Sequence, residues 1–502
     1  MLTVAFVFCD VAPRALQAQL TPSTRAELVA SLWAPPPAGN GFTAGRMHLG
    51  SADFSLSTYS LNENVDNYNM SMFDAALVHD SKYTIPLAKA AQAAAGSSPG
   101  LRLFFSPWSP PAWLKVNKNM INSAHPEGLL QTAAAGAALA SYFVEFTKAL
   151  AAAGVPMWGA TLQNEPLMNM RPNKTHYEAC SYTAASQTAW LQDHLGPAVR
   201  ADPETAHLKL MAYDWNKGEL ADWAKTVLGG GGGGGGGGGN RQMPAAGTAG
   251  PTKSYVDGFA FHWYQWAGGL QLGDLAALEA AAPGTFTLAT EACLIKHGIA
   301  TEHYGETHDN HGTMVGNGAP PSQNGTVAYT YASGELYALD MLGDLLFGAS
   351  GWVDWNAVLD YTGGPNHVNR SDIGAPILVD AASDSYYVQS PYYYMGHLSR
   401  YVPPGSVRVS CSGEGIASAP SDFDAVKDYI KPQIQAGGAA PAGDVGLVAA
   451  CFVAEDGASG TVVAMNPNDG AAGKQMTLAV LHKGAVSAHL PPHSIKTFTF
   501  NL

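Results

Sequence analysis

Eight short apolar runs recur up to residue 355: "TVAFVF", "GRMHLG", "LRLFFS", "MWGATL", "LKLMAY", "VDGFAF", "TFTLAT" and "ASGWVDW". Between several of them lie Ala- and Leu-rich stretches. One of these, "AAAGAALASYFVEFTKALAAAG" at 133–154, spaces its large side chains as a helix does. Strand alternating with helix predicts an α/β chain with a parallel sheet. Eight such units predict a closed (β/α)8 or TIM barrel, here over residues 1–402. The opening "MLTVAFVFCDVAPRALQAQ" also has some character of a secretion leader, but its apolar part is short and no basic residue precedes it. It is read as the first strand.

The pattern changes after "YYYMGHLSRYVPPGS". Residues 403–502 hold "VGLVAACFVA", "GTVVAMNP", "QMTLAVL" and "SIKTFTF", separated by turn residues, and predict a C-terminal all-β sandwich domain. A row of eleven glycines, Gly229 to Gly239, falls between the fifth and sixth runs. It can form no packed core and is expected to be a flexible loop insertion. A length of 502 residues suits a large barrel with a smaller domain beside it.

A net charge of −14 argues against nucleic acid as a partner, because phosphate binding needs clustered Lys and Arg. No stretch is long and apolar enough to predict a membrane-spanning helix. The five cysteines (Cys9, Cys180, Cys293, Cys411 and Cys451) show no zinc-type spacing, and their odd number leaves at least one unpaired. N-x-S/T sequons stand at Asn69, Asn173, Asn324 and Asn369; chance supplies a few in so long a chain, so they add little to a secretory reading. An aromatic content of 10% offers the flat apolar faces against which sugar rings pack.

In such a barrel the chemistry sits at the C-terminal ends of the strands. The second run contains Arg46 and leads to Asp53 in "SADFS", and the third leads to Trp108. The fourth ends on Asn164 and Glu165 in "TLQNEP", and the sixth on His262, Trp263 and Tyr264. The seventh ends on Glu291 in "TEAC", and the eighth on Asp354, Trp355 and Asn356. Glu165 and Glu291 therefore stand on roughly opposite sides of an eight-membered ring. That pairing is what cleavage of a glycosidic bond requires: one carboxyl protonates the leaving oxygen while the other meets the oxocarbenium-like carbon. Taken singly, each residue has a plainer reading. A glutamate at a strand end is most often merely solvated, His262 alone is more often a satisfied core residue, and Asp53 alone could cap a turn. Proline fixes the backbone just after Glu165, and the second glutamate at a corresponding end makes the plain reading much harder to hold. Arg46 and Tyr264 are placed to hold Glu291 ionised, Asn164 to meet a sugar hydroxyl, Asp53 to accept from hydroxyls further round, and Trp108 and Trp355 to wall the site.

The ordered set "SPWSPPAWLK", "LQNEP", "FAFHWY", "TEAC", "GWVDWN" and "GGPN", extended by "RMHLGSADFSLSTYS" and "PYYYMGHLSRYVPPGSVRV", resembles the glucosylceramidases of glycoside hydrolase family thirty over residues 44 to 410. The resemblance implies a retaining β-glycosidase that removes a β-glucosyl headgroup from ceramide. Glu165 would be its acid/base and Glu291 its nucleophile, with sugar contacts from Asp53, Trp108, Asn164, His262, Tyr264 and Trp355 and an Arg46 bond to the nucleophile. It further implies no metal or organic cofactor, a glycolipid substrate met at a membrane surface or on a lipid-presenting partner, and a lysosomal, vacuolar or secreted setting. The family begins with strands of the side domain and a Gly-rich first barrel strand. "VAFVFCDVA" stands in place of the latter here, so the sandwich is expected to lack N-terminal strands and to leave an open edge.

Two rival readings remain at this point. A metal-dependent hydrolase would use His297, His303, His308 and His311 with Glu302, Glu306 and Asp309, although their spacing is not that of a helical zinc motif. A folded pseudo-enzyme would bind a glycoside without cutting it.

Overall fold

The computed structural model describes residues 4–8, 20–97, 100–168, 176–229, 255–264, 269–294, 331–360, 363–368, 373–434, 439–480 and 483–502. Each apolar run forms a strand: β1 (Val4–Phe8), β2 (Ala44–Leu49), β3 (Arg102–Pro107), β4 (Met157–Thr161), β5 (Lys209–Asn216), β6 (Gly258–His262), β7 (Phe286–Glu291) and β8 (Ala349–Asp354). Neighbours pair in parallel and in order, and β1 also pairs with β8, so the ring closes. The first run is thus a barrel strand.

The alternation of side chains along each strand divides the core in two. Met47, Leu49, Leu103, Phe105, Phe259 and Phe261 join the large cluster shared with the surrounding helices. Ala44, Phe104, Met211, Ala260, Leu288 and Val353 pack with one another in a second cluster inside the ring. Apolar side chains fill the interior as a packed core and leave only its upper layer to polar groups.

The helix Ala133–Ala152 covers the predicted 133–154 stretch; Thr132 caps its start by accepting from the Ala135 amide. Its alanines carry no bulk beyond Cβ, so it lies close against the strands with Leu139, Phe143, Phe146 and Leu150 buried. The helix Tyr331–Leu346 leads into β8 and is buried along nearly its whole length. It carries Asp340 and Asp344 one turn apart, and Lys217 Nζ lies 2.6 Å from an oxygen of each. Trp352 Nε1 donates to the second Asp340 oxygen at 2.9 Å. Burial opposes the charge on Lys217, but the two aspartates outweigh it and raise its pKa, whereas burial and Asp340 push Asp344 well up.

Past the barrel, β12 (Val407–Val409), β13 (Val448–Val453), β14 (Ser459–Asn466) and β17 (Ser494–Asn501) form an antiparallel sheet in that order, and β15 (Lys474–Val480) pairs with β16 (Gly484–Leu490). Leu447, Ala449 and Ala464 pack against Met476 and Leu490, joining the two sheets face to face. Cys411 and Cys451 are joined by a disulfide, while Cys180 and Cys293 are buried and form no disulfide among the described residues.

Two features depart from the sequence reading. A three-stranded sheet of β9 (Val358–Asp360), β10 (Ile377–Asp380) and β11 (Ser385–Val388) follows the barrel, its strands too short to show a period. A helix, Pro420–Ile430, interrupts the all-β segment and packs on Tyr331–Leu346 through Phe423, Val426 and Ile430. The glycine row from 230 onward, the four histidines at 297–311, Cys9 and the sequons at Asn173, Asn324 and Asn369 lie outside the described residues; Asn69 is exposed.

Lys217→Met leaves Asp340 and Asp344 buried without their cation. The expected loss is about 3 kcal/mol of stability, read as a lowered thermal midpoint in calorimetry, with Lys217→Arg losing less.

Candidate active site

The carboxyl ends of the strands gather a polar cluster around one cation. Arg46, on β2, is fully buried and each of its nitrogens is engaged. Nε donates to Ser106 Oγ at 2.8 Å. Nη1 donates to Glu291 Oε2 at 2.8 Å and to the Thr290 carbonyl at 3.2 Å. Nη2 donates to Asn164 Oδ1 at 2.7 Å and to Asp214 Oδ2 at 2.9 Å. The guanidinium lies 4.6 Å from the centre of the Trp108 ring, and Trp108 stands 5.2 Å from Trp355. Both tryptophans are 2% exposed.

Asp214 was not among the candidates read from the sequence, though "LKLMAYD" ends its run on an acid just as the fourth and seventh runs do. It is fully buried and also accepts from Thr161 Oγ1 at 2.6 Å and Thr290 Oγ1 at 2.5 Å, and it lies 3.1 Å from His262 Nε2. A bulge in β5 aims it inward: the register with β6 shifts between Tyr213 and Trp215, and Tyr213 and Asp214 have φ of 78° and 75°. Glu165 is strained as well, with φ of 49° just before a proline. Its amide donates to the Asp214 carbonyl at 3.0 Å, and Asn164's to the Pro107 carbonyl at 2.9 Å, so both neighbouring strands fix the turn.

One oxygen of Glu165, one nitrogen of His262 and one oxygen of Glu291 lie within 4.8 Å of one another. Tyr264 Oη donates to Glu291 Oε1 at 3.0 Å and lies 3.2 Å from Cys293 Sγ. Tyr177 Oη donates to Glu165 Oε2 at 3.1 Å; this residue, in a loop without periodicity, gave no signal in the sequence. Of the predicted residues, Arg46, Asn164, Glu165, His262, Tyr264 and Glu291 meet directly, and Trp108 and Trp355 form the wall beside them. Asp53 is 5% exposed on the loop after β2, next to Phe54, whose ring packs on Trp355. His262 is no satisfied core histidine: Nδ1 faces Glu165 at 3.4 Å and Glu291 at 4.0 Å.

The charges follow from these contacts. Burial alone would raise Asp214, but Arg46, His262 and Thr161 bring it down to about 2. Burial alone would lower His262, but Glu291, Asp214 and Glu165 lift it to about 9. Burial raises Glu291, helped by the charge of Glu165 and opposed by His262, Arg46 and the Tyr264 hydroxyl. Burial, Cys293 and Glu291 hold Tyr264 well above its usual range, so it is a neutral donor. Glu165, His262 and Glu291 are close enough to share one cation, yet Arg46 already supplies positive charge to Glu291.

The model of glycosyl hydrolase family 30, described as its TIM-barrel domain, matches residues 7–402. A Caenorhabditis elegans protein carrying a glucosylceramidase name is 30% identical over 375 residues, which are 74% of this chain and 62% of that protein. The lysosomal acid glucosylceramidase of Mus musculus is 29% identical over 413 residues, 81% of this chain and 68% of that protein. The chain spans 61 to 62% of the nematode relatives it matches. Among solved structures, that of SrfJ from Salmonella typhimurium superposes with a TM-score of 0.74 over 100% of this chain and 90% of its own, at 21% identity, a likeness of fold.

The pKa shifts carry a sign for stability. His262 binds its proton more tightly folded, at about 9, than at its ordinary 6.5. Its contribution is therefore complete below about pH 6.5 and is lost as pH rises through about 9. Asp214, depressed from 3.8 to about 2, contributes above its ordinary value and loses that contribution as pH falls towards about 2. Denaturant unfolding followed from neutral to alkaline pH is expected to show a decline in the wild type that is flattened in His262→Gln. Parallel curves would contradict the assignment.

Proposed function

This chain belongs to glycosyl hydrolase family 30, and from that premise we propose that it is a retaining β-glucosidase in which Glu291 is the nucleophile and Glu165 the acid/base. The observation that carries the reading is the approach of the two side chains to within 4.8 Å, with Glu291 gripped by Arg46 and Tyr264. Retaining enzymes hold their carboxyls about 5 to 5.5 Å apart, and inverting ones leave room for a water at about 6.5 to 9.5 Å. Glu291 attacks the anomeric carbon, the glycosidic C–O bond breaks, and the proton of Glu165 goes to the leaving oxygen. A water then attacks the glycosyl-enzyme, Glu165 takes its proton, and Glu291 departs as carboxylate.

Arg46 and Tyr264 steady the negative charge on Glu291 before attack and again after its release. The imidazolium of His262, between the two glutamates, offsets their mutual repulsion. Asn164, turned to Arg46 through Oδ1, keeps its amide hydrogens for a sugar hydroxyl; Trp108 and Trp355 face the ring, and Asp53 takes a hydroxyl further round.

The substrate class we propose is glucosylceramide or a related β-glucoside. Val65, Met72 and Val116 are exposed on the loops after β2 and β3, at the end of the barrel that holds the glutamates. An apolar rim there suits an aglycone with acyl chains, met at a membrane surface or on a lipid-presenting partner. The Cys411–Cys451 disulfide supports an oxidising setting, lysosomal, vacuolar or secreted.

Turnover of glucosylceramide and of an aryl β-glucoside is expected at acidic pH, with the β-anomer of glucose appearing first by NMR. Glu291→Gln is expected to lose about 10⁴-fold or more in kcat. Glu165→Gln should lose about 10²- to 10⁴-fold where the leaving group needs a proton. Folded protein that binds glucoside without turnover would make it a pseudo-enzyme, and activity abolished by chelator would favour metal chemistry. Thiol labelling of the denatured protein is expected to gain two reactive groups after reduction, on peptides with Cys411 and Cys451.

A further inference from the structure

Tyr177, whose hydroxyl holds Glu165, precedes a residue with an unusual environment. Glu178 is completely buried, yet its Oε2 makes no hydrogen bond among the described residues. An unsatisfied carboxylate oxygen in the interior is costly, and an apolar residue of the same volume would sit there at less cost. Its Oε1 accepts from Ser51 Oγ at 2.6 Å, and the same hydroxyl accepts from the Tyr59 amide at 3.0 Å. His367 Nε2 stands 3.4 Å from Glu178 Oε1. The other ring nitrogen, Nδ1, lies 2.8 Å from the Ser55 carbonyl, to which the His367 amide also donates at 3.0 Å. A carbonyl oxygen only accepts, so Nδ1 carries a hydrogen; Nε2, the atom turned to Glu178, makes no hydrogen bond among the described residues and can donate to the carboxylate only when the ring is the doubly protonated imidazolium.

Three loops are joined in this way: the one after β2 through Ser51 and Ser55, the one after β4 through Glu178, and the one after β9 through His367. The backbone on either side of Glu178 is held by the loop after β3. Asn122 N donates to the Tyr177 carbonyl at 2.9 Å, Ala179 N to the Met120 carbonyl at 3.2 Å, and Lys115 Nζ to the Ala179 carbonyl at 2.6 Å. With the backbone pinned, the Glu178 side chain bonded to Ser51 and the His367 ring set against it, the peptide that joins Tyr177 to Glu178 has little freedom to turn. The Tyr177 phenol then has a fixed origin from which to reach Glu165.

We infer that Glu178 and His367 are positioning residues for the acid/base glutamate, acting through Tyr177. The inference rests on the role proposed for Glu165. A displacement of a catalytic group by about 1 Å can cost up to 10²-fold in rate, so a clasp one residue from the phenol bears on the proton-transfer step and not on attack by Glu291. Its signature is selectivity for leaving groups. An alkyl β-glucoside needs its oxygen protonated as it departs, whereas a dinitrophenyl β-glucoside does not.

The experiment measures kcat/KM on both glucosides for the full chain and for Glu178→Ala, Glu178→Gln, His367→Ala and Tyr177→Phe. Glu165→Gln is run first: if its loss is not selective for the alkyl glucoside, the role of Glu165 is wrong and both readings fall. With that control in place, Glu178→Ala and His367→Ala are expected to lose about tenfold on the alkyl glucoside and less than about twofold on the dinitrophenyl one. Glu178→Gln keeps an oxygen of the same shape for Ser51 and should restore most of the activity. Added to Tyr177→Phe, Glu178→Ala should cost less than about a further twofold, because the two act through one bond. Equal losses on both substrates, or losses that add to Tyr177→Phe, overturn the inference and leave Glu178 and His367 a structural role only. Should Glu178→Ala not fold, His367→Ala, at a position with a 15% exposed side chain, decides by the same criteria.

Discussion

A buried guanidinium organises this molecule's working end. Arg46 has no access to solvent, so all its donors must find acceptors within the barrel. It finds them on β3, β5, β7 and the turn after β4: Ser106, Asp214, Glu291 with Thr290, and Asn164. Ordered neighbours of this kind place the carboxylate of Glu291 before any substrate arrives. They also make the charge of each neighbour conditional on the others, because a buried ion without its counter-ion is far more costly than an exposed one.

The positive charge is shared by two groups. Arg46 faces Glu291 and Asp214 from one side, and His262 faces Asp214, Glu165 and Glu291 from the other. Asp214 is the link between them, held ionised at about 2 by the pair it orients. Two cations against three acids leave one negative charge in excess, and a single proton on one glutamate brings the cluster to neutrality. In the proposed function, that balance would give the site an acid and a nucleophile at once from two residues of the same type. Backbone strain at Tyr213, Asp214 and Glu165 is the local cost of bringing them together, and the dense parallel sheet below supplies the rigidity that sustains it.

Much of this was legible in the sequence. The barrel shows because each strand is a short apolar run, largely buried on both faces in β2 to β8, and Glu165 and Glu291 show because both terminate such runs. Asp214 ends its run in the same way, and the same rule applied to "LKLMAYD" would have found it. Tyr177, Glu178 and His367 lie on loops where no period exists, and their meeting depends on three separate chain excursions. The strands β9 to β11 escaped for a related reason: three or four residues cannot show an alternation. The helix Pro420–Ile430 announced itself only by a proline at its first turn, and its apolar face is answered by residues far away on Tyr331–Leu346.

The proposed function requires Glu291 to form a bond to the sugar carbon. A 2-deoxy-2-fluoroglucoside with an activated leaving group slows release of the glycosyl-enzyme and lets it be digested and sequenced by mass spectrometry. One fluoroglucosyl unit is expected on the peptide "TEAC", at Glu291, and none when the site is first filled with a competing glucose analogue. An adduct on another residue, or active protein that hydrolyses glucosides without ever accumulating one, would contradict it.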